Sequence, residues 1–181
     1  MVHIIKSKIS MKKKVYSLLI TLTFFSCNQA VNDTSKIQEN NVNQPIKITM
    51  KEGIITKQST KNFEETYTTL VEILTNNPNL KIIAQLDHQA NAASVGLELR
   101  PTRIIMFGNP KLGTPLMQSA QTTGLDLPQK IMVWEDEEGI VNISYNDPTY
   151  LQKRHGIDGK GEVLAKVTGA LDKITKMTTG L

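Results

Sequence analysis

Residues 131–148, IMVWEDEEGIVNISYNDP, decide the fold class of this 181-residue chain. Their apolar segments 131–134 and 140–145 are rich in β-branched and aromatic residues, which favour strands. Between the two segments lies EDEEG, a polar stretch whose Gly139 is typical of a tight turn. Two strands joined this closely pair antiparallel as a hairpin. Residues 131–148 therefore predict an antiparallel sheet.

Helical patterns on both sides of the hairpin complete the fold class. Residues 62–76 place Phe63, Leu70 and Leu74 on one face, and Asn62 stands three positions before Glu65, the spacing of a capping box. Further helices are predicted at residues 88–95, 112–120 and 163–177, a helical turn at 147–156, and strands at 53–59, 80–86 and 102–107. Because strands and helices mix, the sequence predicts a single α+β domain, a mainly antiparallel sheet packed with helices.

The N-terminal segment has the pattern of a secretory signal peptide. In MKKKVYSLLITLTFFSC, residues 11–27, three lysines precede the mainly apolar stretch 15–25, and Ser26 is a small residue before Cys27. As a helix, that stretch would span about 16 Å, too short for a bilayer core of roughly 30 Å. We therefore predict a signal peptide over residues 1–26, with the true start at Met1 or at Met11.

Cys27 is the single cysteine of the chain, so it has no partner for an intramolecular disulfide. Its position after Ser26 resembles the lipobox of bacterial lipoproteins, although Phe24 stands where leucine is usual. The resemblance implies that Cys27 is acylated and anchors the protein to a bilayer of the cell envelope, facing the periplasm; a secreted soluble protein is the alternative. Residues 28–45 are polar with little to bury, so residues 27–45 are predicted to be a lipidated cysteine and flexible tether before a globular domain at 46–181.

The basic character of the whole chain comes from its N-terminal segment. Five of the 21 lysines and arginines, and none of the 17 acids, precede Cys27. The rest of the chain therefore carries 16 bases against 17 acids and is close to neutral. A nearly neutral domain lacks the positive surface that binds a polyanion, so no nucleic-acid partner is expected.

FGNPKLGTPLM, residues 107–117, contains two glycines at the spacing of a phosphate-binding loop. A nucleotide loop would continue from the second glycine with lysine and then a hydroxyl residue, whereas threonine and proline follow here. No nucleotide cofactor is therefore predicted. The stretch instead predicts a strand followed by a helix that starts at Asn109, and such a helix start beside Lys111 suits a small anion. A plain connection without a ligand is the alternative.

Five phrases of the sequence occur in the order and spacing of a known family: DHQANAASVGLELRPT, FGNPKLGTPLM, GLDLP, VWEDEEG and SYNDPTYLQKRHG. On these phrases, the chain resembles the domain-of-unknown-function family 302 over about residues 53–177. The resemblance implies a small α+β domain with a fold like that of the TATA-binding protein, and a homodimer. It implies no activity, substrate or cofactor, because none is established for the family.

Five polar residues lie at the ends of predicted elements or in turns, where functional groups concentrate: His88, Asn109, Lys111, Asn146 and His155. We predict that they line a common cleft that binds a small anion such as a carboxylate. Lys111 and a protonated His155 would add positive potential there. Three arginines are further candidates for the same cleft: Arg100, Arg103 and Arg154. The alternative is that these residues fix turn geometry.

Two functions remain open from the sequence. One is a non-catalytic module that binds or senses a small ligand; the other is a small exported enzyme that uses His88 and His155 as acid and base or as metal ligands. The chain has no nucleophile elbow, and its histidines lack the i, i+4 spacing of helical zinc ligands. The sequence therefore favours the binding module and predicts neither a metal nor a cofactor.

Overall fold

The hairpin predicted from residues 131–148 lies at the centre of a six-stranded antiparallel sheet. The computed structural model describes residues 47–181. Its strands are β1 Ile48–Lys51, β2 Ile54–Gln58, β3 Lys81–Asp87, β4 Thr102–Gly108, β5 Gln129–Glu135 and β6 Val141–Asn146. Its helices are α1 Phe63–Thr75, α2 His88–Ser94, α3 Pro110–Ser119, α4 Pro148–His155 and α5 Gly161–Thr179, and a 3₁₀ helix, Gln121–Leu125, precedes β5.

The spatial order of the strands is β1-β2-β6-β5-β4-β3, and every neighbouring pair is antiparallel. Gly108 at the end of β4 lies opposite Lys81 at the start of β3, and β5 starts and β6 ends at this same end of the sheet. We call it the α3 end, because α3 follows β4 there. At the opposite end of the strands, Arg103 of β4 faces Asp87 of β3, and α2 follows β3. We call this the α2 end.

Every second side chain of the central strands points toward α1 and α5, and these side chains form the core. Ile131 and Val133 of β5 are fully buried, and they pair with the equally buried Ile105 of β4 and Ile143 of β6. The apolar faces of α1 and α5 belong to the same buried cluster. Full burial of such a side chain stabilises the fold by about 1.5–3 kcal/mol, so the core fixes which face of the sheet the helices cover.

Side-chain caps fix the starts of four helices. Asn62 accepts a hydrogen bond from the backbone N–H of Glu65 at the start of α1. Asp87, Asn109 and Asp147 accept equivalent bonds at the starts of α2, α3 and α4. A proline occupies the first turn of α3 and of α4, where its missing N–H removes no helical bond. These local signals place the starts of α3 and α4 directly after strands.

The predicted α+β class with one mainly antiparallel sheet is confirmed, and each predicted strand and helix occurs within a few residues of its predicted position. Two elements were not predicted, β1 and the 3₁₀ helix. β1 has four residues, and its pairing with β2 depends on a turn in which Gly53 adopts a φ of 74°. Because the partner strand and the turn define β1, its own short pattern gives little signal.

Candidate ligand-binding cleft

An apolar cleft of about 310 Å³ lies at the α3 end of the sheet, between α3, α5 and the strand ends. Leu112 and Leu116 stand one turn apart on α3, and Val167, Leu171 and Ile174 follow helical spacing on α5. These five apolar residues belong to the two helical walls of the cleft. A preformed apolar cleft of this volume is at the lower end of the range for small-molecule sites.

Polar residues border the cleft at the ends of three neighbouring strands. Lys81 starts β3, Asn109 directly follows β4 and Gln129 starts β5. Lys81 is the single charged residue of the lining, and it takes part in none of the ion pairs found within residues 47–181. The cleft is therefore almost wholly apolar, and polar residues border it only at the strand ends.

The helix start at Asn109 uses its backbone donors internally. The side-chain Oδ1 of Asn109 accepts from the N–H of Lys111 at 2.9 Å, and its carbonyl oxygen accepts from the N–H groups of Leu112 and Gly113 at 3.0 and 2.9 Å. Pro110 has no N–H to offer. The backbone donors that the sequence suggested for an anion at the start of α3 are therefore already bonded within the chain.

The corresponding start of α4, after Asn146, holds a carboxylate of the chain itself. Asp147 accepts from the N–H of Thr149 at 2.9 Å and from its hydroxyl at 2.7 Å. A negative group at a helix N-terminus is stabilised by the helix dipole, so a second anion is not favoured there. The strand before α4 is also separated from the strand before α3 by β5, so the two helix starts share one end of the sheet without lying on neighbouring strands.

His155 is buried where the end of α4 meets the 3₁₀ helix. Its side chain is 4% exposed, with Nε2 2.6 Å from Oδ2 of Asp126 and Nδ1 3.0 Å from Oγ1 of Thr122. Arg154 lies 3.4 Å from the same carboxylate. Because both ring nitrogens already have partners in the chain, this arrangement ties α4 to the segment that leads into β5.

His88 lies at the α2 end of the sheet, as the first residue of α2. The carboxylate of its neighbour Asp87 accepts from the backbone N–H of Ala90 and from Nε of Arg103, and these bonds hold the pKa of Asp87 below its usual range. Arg103 also binds the carboxylate of Glu64 at 2.7 Å, which raises the pKa of the guanidinium. The polar groups around His88 therefore serve to join α1, β3 and β4.

The structure does not bring the five predicted residues into one cleft. Asn109 lines the apolar cleft, whereas Lys111, Asn146 and His155 lie at the α3 end outside its lining. His88 lies at the α2 end, separated from Asn109 by the length of β4, roughly 20 Å for seven residues. The common-cleft hypothesis is therefore wrong, because β3 and β4 run antiparallel and their C-terminal ends, which lead to His88 and Asn109, lie at opposite ends of the sheet. Ligand binding by the individual residues stays a prediction.

The three candidate arginines each pair with carboxylates of the chain: Arg100 with Glu137, Arg103 with Glu64 and Asp87, and Arg154 with Asp126. None of the three lines the apolar cleft. Because these charges already have partners, the arginines add little attraction for an anionic ligand at that cleft.

Lys57, on β2, was not among the predicted residues, although it is buried to 2% exposure. Its ammonium group donates to Oδ1 of Asp172 and to Oγ1 of Thr175, both at 2.7 Å, and lies 5.8 Å from the ring centroid of Tyr145. The signal in the sequence was a lysine at a position of β2 whose side chain points toward the core, because side chains alternate between the two faces of a strand. Its partners lie more than 110 positions away, so no local pattern reveals them.

Among the residues that the structure describes, no three His, Cys, Asp or Glu side chains are grouped to hold a metal ion. In the same part of the chain, no helix is both long and apolar enough to cross a bilayer. Cys27, the predicted signal peptide and the predicted tether lie outside the described residues.

Six antiparallel strands, a helical layer and an apolar cleft at one sheet end define a small α+β domain. The chain belongs to the family described as "Domain of unknown function DUF302", whose model matches residues 55–174, so the family expected from the sequence phrases is confirmed. The crystal structure of an uncharacterized conserved DUF302 protein from Bacillus stearothermophilus superposes with a TM-score of 0.63, covering 71% of this chain and 99% of that one. At 20% identity, this likeness shows the fold alone.

Two relatives from Brucella are longer proteins. The fluoride-specific ion channel FluC 1 of Brucella suis biovar 1 is 37% identical over 138 residues, which cover 75% of this chain and 54% of that protein. The protein of the same name from Brucella abortus biovar 1 is also 37% identical over 138 residues, 50% of its length. The chain thus spans about half the length of these relatives, whose name describes the whole proteins.

Proposed function

We propose that this chain is an exported, lipid-anchored module of the cell envelope that binds a small molecule without chemically changing it. The apolar cleft at the α3 end carries the proposal. Leu116, Val167 and Leu171 in its walls are only 3%, 7% and 2% exposed, so packing with the core holds these walls in place. A cleft with fixed apolar walls loses little conformational entropy on binding, which favours a ligand with an apolar body.

Binding without catalysis is favoured by the chemistry of the lining. The cleft is lined by no histidine, carboxylate, serine or cysteine side chain. A general acid or base must lie within hydrogen-bond reach of the reacting group. The imidazole of His155 is instead held by Asp126, and His88 lies at the other end of the sheet. We therefore do not propose the enzyme that would use both histidines.

Filling the cleft tests the binding proposal. Ala170 lies on the exposed side of α5 and lines the cleft, so Ala170→Trp should occupy it without disturbing the core. Ala165→Trp adds the same ring to an exposed position of α5 that does not line the cleft. Nile red, a neutral apolar dye, should fluoresce with the native protein and with Ala165→Trp, and about tenfold less with Ala170→Trp. Equal dye binding by the two variants would reject the cleft as the ligand site.

Lipid anchoring is proposed from the signal-like segment that ends at Cys27. The Brucella relatives are named as ion channels, which work within membranes, and this supports a membrane-associated setting for a domain of this family. Fluoride transport is not proposed for this chain, because it spans about half of those proteins. Labelled palmitate should enter the native protein in cells and should not enter Cys27→Ala; equal labelling would end the lipoprotein proposal.

The homodimer implied by the family resemblance stays a prediction, which light scattering of the purified protein tests.

A further inference from the structure

We infer that the loop between α2 and β4 is a membrane-contact site, which lays Val95, Leu97 and Leu99 against the lipid bilayer that holds the acylated Cys27. We call residues 95–99 the α2 loop. The inference rests on the proposed lipid anchoring and adds which surface of the anchored domain meets the bilayer.

The α2 loop exposes large apolar side chains that the core does not use. Val95, Leu97 and Leu99 are 70%, 66% and 45% exposed, and α2, which leads into the loop, has no buried residue. Single exposed apolar residues are ordinary surface, whereas three within five positions form a patch of the kind that marks a contact surface. Because these side chains contribute little to folding, a contact outside the domain accounts for them better.

Hydrogen bonds hold the α2 loop in place without help from those side chains. The N–H of Leu97 donates to the carbonyl oxygen of Ala92 at 3.0 Å, and Gly96 adopts a φ of 74°, as in the Schellman end of a helix. After the loop, Nε of Arg100 donates to the carbonyl oxygen of Glu135 at 3.3 Å. The loop is thus tied to α2 and to β5, so little conformational entropy is lost when it binds a surface.

The predicted tether joins the domain at the same end of the sheet as the α2 loop. Ile48 at the start of β1 pairs with Lys57 near the end of β2, and β6 begins beside that end of β2. Cys27 lies 20 positions before Lys47. A flexible chain of this length has an end-to-end distance of about 25 Å, close to the length of a seven-residue strand. An anchor at Cys27 therefore holds the α2 end nearest to the bilayer.

The charges around the α2 loop favour contact with uncharged lipid surfaces. Glu98 lies within the loop, and Arg100 after it lies 3.7 Å from a carboxylate oxygen of Glu137 in the adjacent hairpin turn. The same turn carries Asp136 and Glu138. Anionic lipids attract clusters of basic residues, and this loop has no such cluster. Its contact with a bilayer therefore depends on apolar side chains, which suits a zwitterionic surface.

A bilayer fits the size of this patch better than a second copy of the chain. A standard protein interface takes about 20–30 residues on each side, whereas the α2 loop has five. Interfacial contact with a bilayer needs only a few apolar side chains that enter by roughly 5–10 Å. At that depth the carboxylate of Glu98 stays near the headgroups, where water solvates it.

Tryptophan quenching in vesicles tests the contact. In a Trp134→Phe background, which removes the single native tryptophan, Leu97→Trp reports on the α2 loop. Leu125→Trp is the matched control, because Leu125 is 75% exposed in the 3₁₀ helix at the α3 end. The acylated full chain is placed in phosphatidylcholine vesicles whose acyl chains carry bromine, which quenches tryptophan. Relative to unbrominated vesicles, Leu97→Trp should lose fluorescence and Leu125→Trp should not. Added phosphatidylglycerol should not increase the loss.

A second comparison tests whether the leucines drive the contact. Val95→Trp in the same background serves as the reporter, and Leu97→Ser with Leu99→Ser removes both leucines. The double substitution should shift the docking equilibrium about tenfold or more toward solvent, because the apolar surface of two leucines is no longer removed from water. Both positions are exposed, so the fold should be unaffected.

The outcomes separate this inference from the proposed anchoring. Equal quenching of Leu97→Trp and Leu125→Trp, or quenching of neither, would overturn the inference, while palmitate labelling of Cys27 would leave the anchoring in place. Quenching of Val95→Trp that survives loss of both leucines would also overturn it. A light-scattering mass that falls from dimer to monomer in Leu97→Ser with Leu99→Ser would assign the loop to a second copy and overturn the membrane contact. A chain without palmitate labelling would overturn the anchoring and the inference together.

Discussion

Removing the carboxylate of Asp172 should destabilise the protein more than removing the ammonium group of Lys57. The lysine is buried to 2% exposure, whereas the side chain of Asp172 is 42% exposed and also binds Lys176 at 2.8 Å. In Lys57→Met, the carboxylate keeps water and Lys176 as partners. In Asp172→Ala, the ammonium stays buried with Thr175 at 2.7 Å and the backbone carbonyl of position 172 at 3.3 Å. The two substitutions therefore break one ion pair with unequal consequences.

The magnitudes follow from burial. Leaving one charge of a buried pair without its partner costs about 3–5 kcal/mol, and the exposure of Asp172 lets water recover part of this, so we expect about 2 kcal/mol for Asp172→Ala. In Lys57→Met, the lost charged hydrogen bonds, about 1.5–3 kcal/mol each, are largely offset because no ammonium group is then desolvated. The net loss should stay below about 1 kcal/mol. A loss of 1 kcal/mol lowers Tm by roughly 3–5 °C in a domain of this size. Tm should therefore fall by about 8 °C in Asp172→Ala and by less than about 4 °C in Lys57→Met.

Urea and thermal unfolding of the full chain at pH 7 measure both losses. Lys176→Ala is the control for the exposed half of the network and should cost less than about 0.5 kcal/mol. The double variant Lys57→Met with Asp172→Ala should be about as stable as Lys57→Met alone, because no buried charge then remains. A larger loss in Lys57→Met than in Asp172→Ala would refute the reasoning that desolvation of the ammonium decides the outcome.

Three further perturbations test other contacts by thermal unfolding. Gly53→Ala should cost about 2 kcal/mol or more of stability, because φ is 74° and a Cβ would lie 2.6 Å from Cδ1 of Tyr150. Gly139→Ala, at φ 75° with open space around it, should cost about 1 kcal/mol. Equal losses of stability in the two variants would contradict the clash with Tyr150. The pKa of Asp87 is held below its ordinary 3.8 by backbone and guanidinium hydrogen bonds. Its stabilisation should be present above pH 4 and lost as the pH falls through that lowered pKa, so Asp87→Asn should lose less stability between pH 5 and pH 2 than the native protein. His155→Ala should cost about 2 kcal/mol, because it removes a buried hydrogen bond to a carboxylate; an unchanged Tm would mean that the contact does not hold α4.

The sequence by itself determined the features that depend on neighbours in the chain. The hairpin around Gly139 and the helix starts at Asn62, Asn109 and Asp147 are confirmed, because each depends on residues a few positions apart. The five family phrases also led to the correct family, since a long run of residues in register is specific without any contact between them.

The tertiary structure alone decided which of these local features lie together. The order of the strands sends His88 to one end of the sheet and Asn109 to the other, although both follow a strand in the same way. The same order brings Lys81 to the apolar cleft, and it brings Lys57 to Asp172 across 115 positions. Such pairings depend on the closing of long loops and on burial of a shared core. Residue types and spacing therefore predict the elements, and the register of the sheet decides the site.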